Sequence, residues 1–274
     1  MRVALIQMGV TTDKSGNVRE ACRRIRAAAA EGADLAVLPE MFCSPYNTAS
    51  FAEYGEEAGG EAQTALSALA KEVGIYVVAG SLPELCAASI YNTSFVYDDT
   101  GRQIARHRKV HLFDIDIEGG QYFRESDVLS AGDKVTVFDT PWGRVGLGIC
   151  FDIRFAELAT CMARLGADIF VFPGAFNMTT GPAHWELHFR ARAVDSQVFT
   201  IGVAPARVAH ASYVSYGHSI VCDPWGRVIH DSGPGDIDAI VDLDLNLAAS
   251  VRRQLPIRGA RVELVLPQGT RHDA

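Results

Sequence analysis

The chain has 274 residues, 48% of them apolar and 21% charged, the balance of a packed globular protein rather than a disordered or fibrous one. Lys and Arg total 25 against 33 Asp and Glu, a net charge of −8, and no basic run is longer than Arg106-His107-Arg108-Lys109, which argues against nucleic acid as a partner. The N-terminus enters directly into an apolar run without a basic leader, no apolar stretch approaches the roughly 20 residues that span a bilayer, and the six cysteines lack Cys-x-x-Cys spacing, so the expectation is a cytoplasmic protein with free thiols and no membrane partner.

In chain order, Val3 to Met8 reads as a buried strand and Val18 to Ala30 has helical spacing. Leu35 to Leu38 predicts a second strand, Ala62 to Glu72 a helix and Ile75 to Ala79 a third strand. Asp98-Asp99-Thr100-Gly101 reads as the turn of a hairpin joining Phe95–Tyr97 to Gln103–Ala105. A strand at Val145 to Cys150 leads into a helix at Ala156 to Leu165. A strand at Ile169 to Phe172, a helix at Ala183 to Val194 and a strand at Phe199 to Val203 follow. Pro-Trp-Gly-Arg occurs at 141–144 and again at 224–227, both reading as turns between antiparallel strands; the flanks are too unlike for an internal duplication. The alternation predicts an α/β protein with mixed sheets. No linker divides the chain, so one domain over 1–274 is expected, with a C-terminal tail from about 257. The aperiodic stretch from Val110 to Gly132 is long for a compact domain unless it works as a lid or binding loop.

Three residues at strand ends carry candidate chemistry. Cys150 closes an apolar strand just before a helix, a turn that exposes a side chain beside unpaired backbone N–H groups and suits a nucleophile with an oxyanion donor. Glu40 ends Leu-Ala-Val-Leu-Pro-Glu, where partial desolvation suits a general base. Lys109 ends the basic strand just as apolar residues resume. Taken singly, an inert core thiol, a solvated glutamate and a cationic edge strand explain each of them. His184 and His188 have chelating i, i+4 spacing, but the zinc-protease pattern needs its glutamate directly after the first histidine, and Glu186 comes one position later, roughly 200° around the helix.

Together, Leu-Pro-Glu40-Met-Phe, Arg-Lys109-Val-His-Leu-Phe and Gly-Ile-Cys150-Phe-Asp-Ile-Arg-Phe resemble the three signature blocks of the nitrilase superfamily of carbon-nitrogen hydrolases. Pro173 to Leu187, Arg192 to Gln197 and Tyr216-Gly-His-Ser219 resemble its ω-amidase branch, and the likeness runs from Val3 to about Pro256. The resemblance implies a two-sheet α-β-β-α sandwich that forms αββα-αββα on pairing into a homodimer, through helices ending near Ala163 and Val194. It implies Cys150 as nucleophile, Glu40 as base, Lys109 and the Phe151 N–H as oxyanion donors, and a second glutamate, Glu125, orienting the water or the lysine. The implied reaction releases ammonia from the terminal amide of short dicarboxylate monoamides such as 2-oxoglutaramate and 2-oxosuccinamate, through a thioester and without metal or cofactor. Arg154 is the implied clamp for the far carboxylate, with Tyr46, Phe176 and Thr180 lining the same pocket. Other small-amide specificities, toward deaminated glutathione, N-carbamoyl amines or nitriles, would use the same trio. A zinc hydrolase or a catalytically silent scaffold are the more distant alternatives. One departure bears on substrate preference: Glu118 and Gly120 stand where relatives commonly carry Pro and a basic residue.

Overall fold

Along strand Arg2–Gln7, Val3 and Leu5 point to one side and Ala4 and Ile6 to the other, and all four are fully buried. A strand buried on both faces needs a layer on each side, and the computed structural model, which describes residues 1–118, 122–211, 213–260 and 262, supplies both. Val3 and Leu5 pack with Leu35, Val37 and Val96 against Val145, Leu147, Ile169, Val171, Ile201 and Val203 of a second sheet. Ala4 and Ile6 pack against helices Lys14–Ala30 and Glu61–Val73. Helices Ala156–Arg164 and Gly181–Ser196 cover the outer face of the second sheet. The layers therefore run helix, sheet, sheet, helix.

The first sheet orders its strands Ile237–Asp242, Arg2–Gln7, Leu35–Val37, Tyr76–Val78, Ser89–Tyr97 and Leu82–Cys86, with Gln103–Arg108 also paired to Ser89–Tyr97. The second runs Val228–Asp231, Ile220–Cys222, Phe199–Val203, Ile169–Pro173, Gly143–Leu147 and Thr136–Thr140. Three neighbouring strands in the middle of each are parallel and the flanking pairs antiparallel, so both sheets are mixed as expected. Both Pro-Trp-Gly-Arg segments turn between antiparallel strands.

Several elements differ from the sequence reading. The strand expected to reach Cys150 ends at Leu147, because Gly148 makes the last cross-strand bond to Val171 and the backbone then turns into a 3-10 helix, Cys150–Arg154. Strand Ile237–Asp242 and helix Asn246–Gln254 were not expected: the strand is half-exposed, and its antiparallel partner Arg2–Gln7 lies at the other end of the chain. Within the aperiodic stretch, Asp114–Asp116 pairs with Tyr122–Arg124 and a 3-10 turn follows at Glu125–Asp127. Glu118 is exposed between those strands, and Gly120 lies outside the described residues. The segment expected as a tail begins as a helical turn, Ile257–Ala260, whose Arg258 donates to the carbonyls of Ser196 and Ala167. Among the described residues no helix is long and apolar enough to cross a membrane.

Candidate active site

The C-terminal ends of parallel strands from the two sheets meet at one place. Leu35–Val37 leads through Pro39 to Glu40, and Gly143–Leu147 leads to Cys150. Gly80 lets a neighbouring turn approach the first of these closely: its φ is +53°, and a Cβ there would lie 2.0 Å from the Pro39 carbonyl oxygen. Lys109 enters from the end of Gln103–Arg108, and Glu125 from the 3-10 turn after the hairpin.

Glu40, Lys109 and Glu125 are all 0% exposed, so their charges are compensated within the protein. Lys109 Nζ lies 2.9 Å from Glu40 Oε1 and 2.9 Å from Glu125 Oε2, with its remaining reach toward the Tyr46 hydroxyl at 3.4 Å. Burial works against the ammonium, but the two carboxylates outweigh it and hold Lys109 above the ordinary lysine range. Burial pushes Glu125 up, reinforced by the charge of Glu40 and opposed by Lys109. Glu125 also accepts from the Phe113 N–H at 2.7 Å and from Tyr46 at 2.6 Å, and these bonds fix it.

Glu40 Oε1 accepts from Asn92 Nδ2 at 2.8 Å, from Lys109 and, more loosely, from Tyr46 at 3.3 Å. Oε2 accepts from the Ala175 N–H at 2.8 Å. Oε2 is thus the oxygen with capacity left for a proton. The Cys150 thiol lies near enough to the Glu40 carboxyl group and the Ala175 backbone for both to act on its ionisation. Burial, then the Glu40 charge, pushes this thiol well above its ordinary range, with Lys109 pulling the other way. The resting Cys150 side chain is therefore a neutral thiol close to the Glu40 carboxylate. Phe151 contributes the second amide of the 3-10 turn, a position whose N–H has no acceptor within the helix itself.

Asp152, which sequence reasoning passed over although it lies inside the cysteine block, ties these parts together. It is buried and accepts from His107 Nε2 at 3.0 Å, from His111 Nδ1 at 2.8 Å and from the N–H groups of His111 and Ile149. Burial alone would raise its carboxyl pKa, but the two histidine bonds hold it well below the usual range. The spacing His107, Lys109, His111 puts three side chains on one face of an extended chain, a signal the sequence carries. Asn92 and Tyr213 had no such signal, since their roles depend on contacts far along the chain.

Cys150, Phe151, Arg154, Phe176 and Thr180 line one small cavity together with Phe113, Ala175 and Tyr213. Tyr46 faces instead an adjoining, larger cavity that also reaches Glu40 and shares Ala175 and Tyr213 with the first. The Tyr213 hydroxyl donates to the Ala175 carbonyl and closes part of the wall between them. Arg154, at the end of the 3-10 helix, stacks over Phe176 at 4.8 Å and Phe151 at 5.4 Å.

A buried thiol, carboxylate and ammonium at the strand ends of a helix-sheet-sheet-helix sandwich form the arrangement of a cysteine-dependent hydrolase acting on carbon–nitrogen bonds. The chain belongs to the carbon-nitrogen hydrolase family, whose sequence profile matches residues 2–253. It is 50% identical over 260 residues to the omega-amidase NIT2 of Xenopus tropicalis, covering 95% of this chain and 94% of that one. The omega-amidase NIT2 of Homo sapiens is 50% identical over 256 residues, covering 93% of each. Among solved structures, Saccharomyces cerevisiae Nit3, a member of branch 10 of the nitrilase superfamily, superposes with a TM-score of 0.87 at 41% identity and covers 94% of both chains.

Proposed function

We propose that the protein is an ω-amidase: it hydrolyses the terminal amide of a short dicarboxylate monoamide, 2-oxoglutaramate or 2-oxosuccinamate, to the acid and ammonia. The observation that carries the substrate class is Arg154, a guanidinium in the same cavity as Cys150 with no carboxylate partner among the described residues. Half identity to omega-amidases over nearly the whole chain supports the same reading.

In this mechanism Cys150 Sγ attacks the amide carbon while Glu40 Oε2 takes its proton. The carbonyl oxygen, gaining charge, is held by Lys109 Nζ and the Phe151 N–H. Glu40 returns the proton to the leaving nitrogen, the carbon–nitrogen bond breaks, and ammonia departs from a Cys150 thioester. Water, deprotonated by Glu40, then attacks the thioester carbon, and the thiol leaves as the acid is released. Glu125 and Tyr46 hold Lys109 aimed at the oxyanion. Arg154 receives the distal carboxylate, with Phe176 and Thr180 shaping the space between. The chain requires no metal or organic cofactor for these steps.

We infer further that the chain acts as one domain and as a homodimer. Leu187 and Val194, two turns apart on one face of Gly181–Ser196, are exposed together with Trp225, whose neighbour Gly226 abuts Val194. Six unpaired thiols suit a cytoplasmic location.

The test is ammonia release from 2-oxoglutaramate by the purified protein, with carbamoyl, peptide-like and neutral short amides in parallel. Turnover favouring the oxo-dicarboxylate amide and lost in Cys150→Ala is expected. Cys150-dependent preference for another amide would keep the mechanism and discard the substrate. Arg154→Lys, which loses the planar fork, should raise KM for 2-oxoglutaramate far more than for a neutral amide, and equal losses would remove the clamp.

A further inference from the structure

His184 and His188 stand one turn apart on helix Gly181–Ser196, and the mechanism above gives them no task. Both rings turn a nitrogen to the same atom: Arg154 Nη1 lies 3.2 Å from His184 Nδ1 and 3.1 Å from His188 Nε2. A guanidinium only donates, so both imidazoles accept, which assigns their hydrogens to His184 Nε2 and His188 Nδ1. Burial, then the charges of Arg154 and Arg192 and the neighbouring His184, pushes His188 down to about 4, so its ring is an uncharged acceptor at neutral pH. A cation already sits where a chelated metal would lie.

The rest of the guanidinium is set up for a ligand. Arg154 Nε is buried without a hydrogen-bond partner, and its plane packs over Phe176 and Phe151, which line the cavity that holds Cys150. A half-buried guanidinium without a charged partner bears a desolvation cost that a bidentate carboxylate would offset. Here two neutral rings orient the cation without cancelling its charge, and the Nη2 end and Nε are left over.

We propose that His184 and His188 are positioning residues that determine substrate specificity: they hold Arg154 by Nη1, unneutralised, so that its other N–H groups receive the distal carboxylate of the substrate. The inference rests on the Arg154 clamp of the proposed function and adds the reason the clamp stays vacant of protein acids.

The experiment measures the ratio of kcat/KM for 2-oxoglutaramate to kcat/KM for butyramide in the full-length enzyme and in His184→Leu, His188→Leu, His188→Gln, His188→Glu and Arg154→Leu. Removing either acceptor should lower the ratio about tenfold, mainly through KM for the charged substrate. His188→Gln, whose amide oxygen can accept in place of the ring, should restore most of it. His188→Glu should lower it furthest, about a hundredfold, because a carboxylate there neutralises Arg154 and competes with the substrate. Should the leucine variants fail to fold, the Gln and Glu pair carries the comparison. A ratio that drops in Arg154→Leu but stays level in every histidine variant overturns the positioning role and leaves the clamp. A level ratio in Arg154→Leu overturns the clamp and this inference with it. Equal loss on both substrates in all His188 variants, Gln included, marks helix packing only and also overturns it.

Discussion

Cys150 and Met41, the residue after Glu40, both hold left-handed backbone, with φ of 48° and 52°. Neither is glycine, so the proposed nucleophile sits on, and the proposed base just before, a backbone conformation that a Cβ makes unfavourable. That conformation opens the 3-10 helix that places the thiol near Glu40, and the cost should be measurable. Cys150→Gly is expected to be more stable than Cys150→Ala by about 1 kcal/mol, read from urea midpoints, although glycine removes more packing; equal midpoints would mean that the turn is unstrained. The neutral resting thiol makes a second prediction. Glu40→Gln should lower kcat by roughly a hundredfold or more and slow alkylation of Cys150 by iodoacetamide at pH 7, since Glu40 is the carboxylate that acts most strongly on this thiol. Unchanged alkylation would show that the thiol ionises without Glu40.

Among elements, the 3-10 helix Cys150–Arg154 carries the proposed nucleophile at one end and the proposed clamp at the other, and Asp152 in its middle holds it to the strand that brings Lys109. Asp152→Ala leaves the buried His107 ring, the half-buried His111 ring and two backbone N–H groups without their acceptor. We expect a loss of about 3 kcal/mol in unfolding free energy and a fall in kcat. Normal stability with lost activity would instead make Asp152 a participant in the chemistry. The strands and helices that cross the middle of the sandwich were legible because both faces of each central strand are buried and helices such as Glu61–Val73 and Ala156–Arg164 show an apolar stripe. Ile237–Asp242 was not, because it is half-exposed and its pairing is decided by Arg2–Gln7 more than 200 residues earlier. Nor was the short hairpin before Glu125, whose strands mix exposed acidic residues with aromatics.

For the whole molecule, acid sensitivity follows from the half-buried histidine behind Arg154. His188 has its pKa depressed from 6.5 to about 4, so on acidification the unfolded chain binds a proton that the folded chain refuses. The stabilisation is complete above pH 6.5 and is lost progressively as pH falls toward 4. The groups facing it are Arg154, Arg192 and His184, all of which favour its neutral form. Urea midpoints at pH 7, 5.5 and 4.5 should therefore fall less steeply for His188→Gln than for the parent, while the opposite contribution of Glu125, whose pKa is raised, cancels in the comparison. Parallel slopes would show that His188 is not a half-buried neutral group. Assembly is the other prediction at this scale: Leu187→Glu, on the exposed apolar face of Gly181–Ser196, should convert a dimer to a monomer in sedimentation, and an unchanged mass would place the contact elsewhere.

The sequence by itself determined the alternating α/β plan with mixed sheets, through local periodicity that a linear chain displays. The layering, and the chemistry expected of Glu40, Lys109 and Cys150, were legible only through the resemblance of three short blocks to the nitrilase superfamily, since taken singly each residue has an ordinary structural explanation. Only the tertiary structure decided which oxygen of Glu40 is left for the proton, that Tyr46 belongs to the Lys109–Glu125 network rather than to the Arg154 cavity, and that Asp152 braces the two halves. It also turned an apparent chelating pair into acceptors for Arg154. Each of these depends on hydrogen bonds between residues brought together from separate strands and helices, where the direction of a donor matters and sequence spacing carries no record of it.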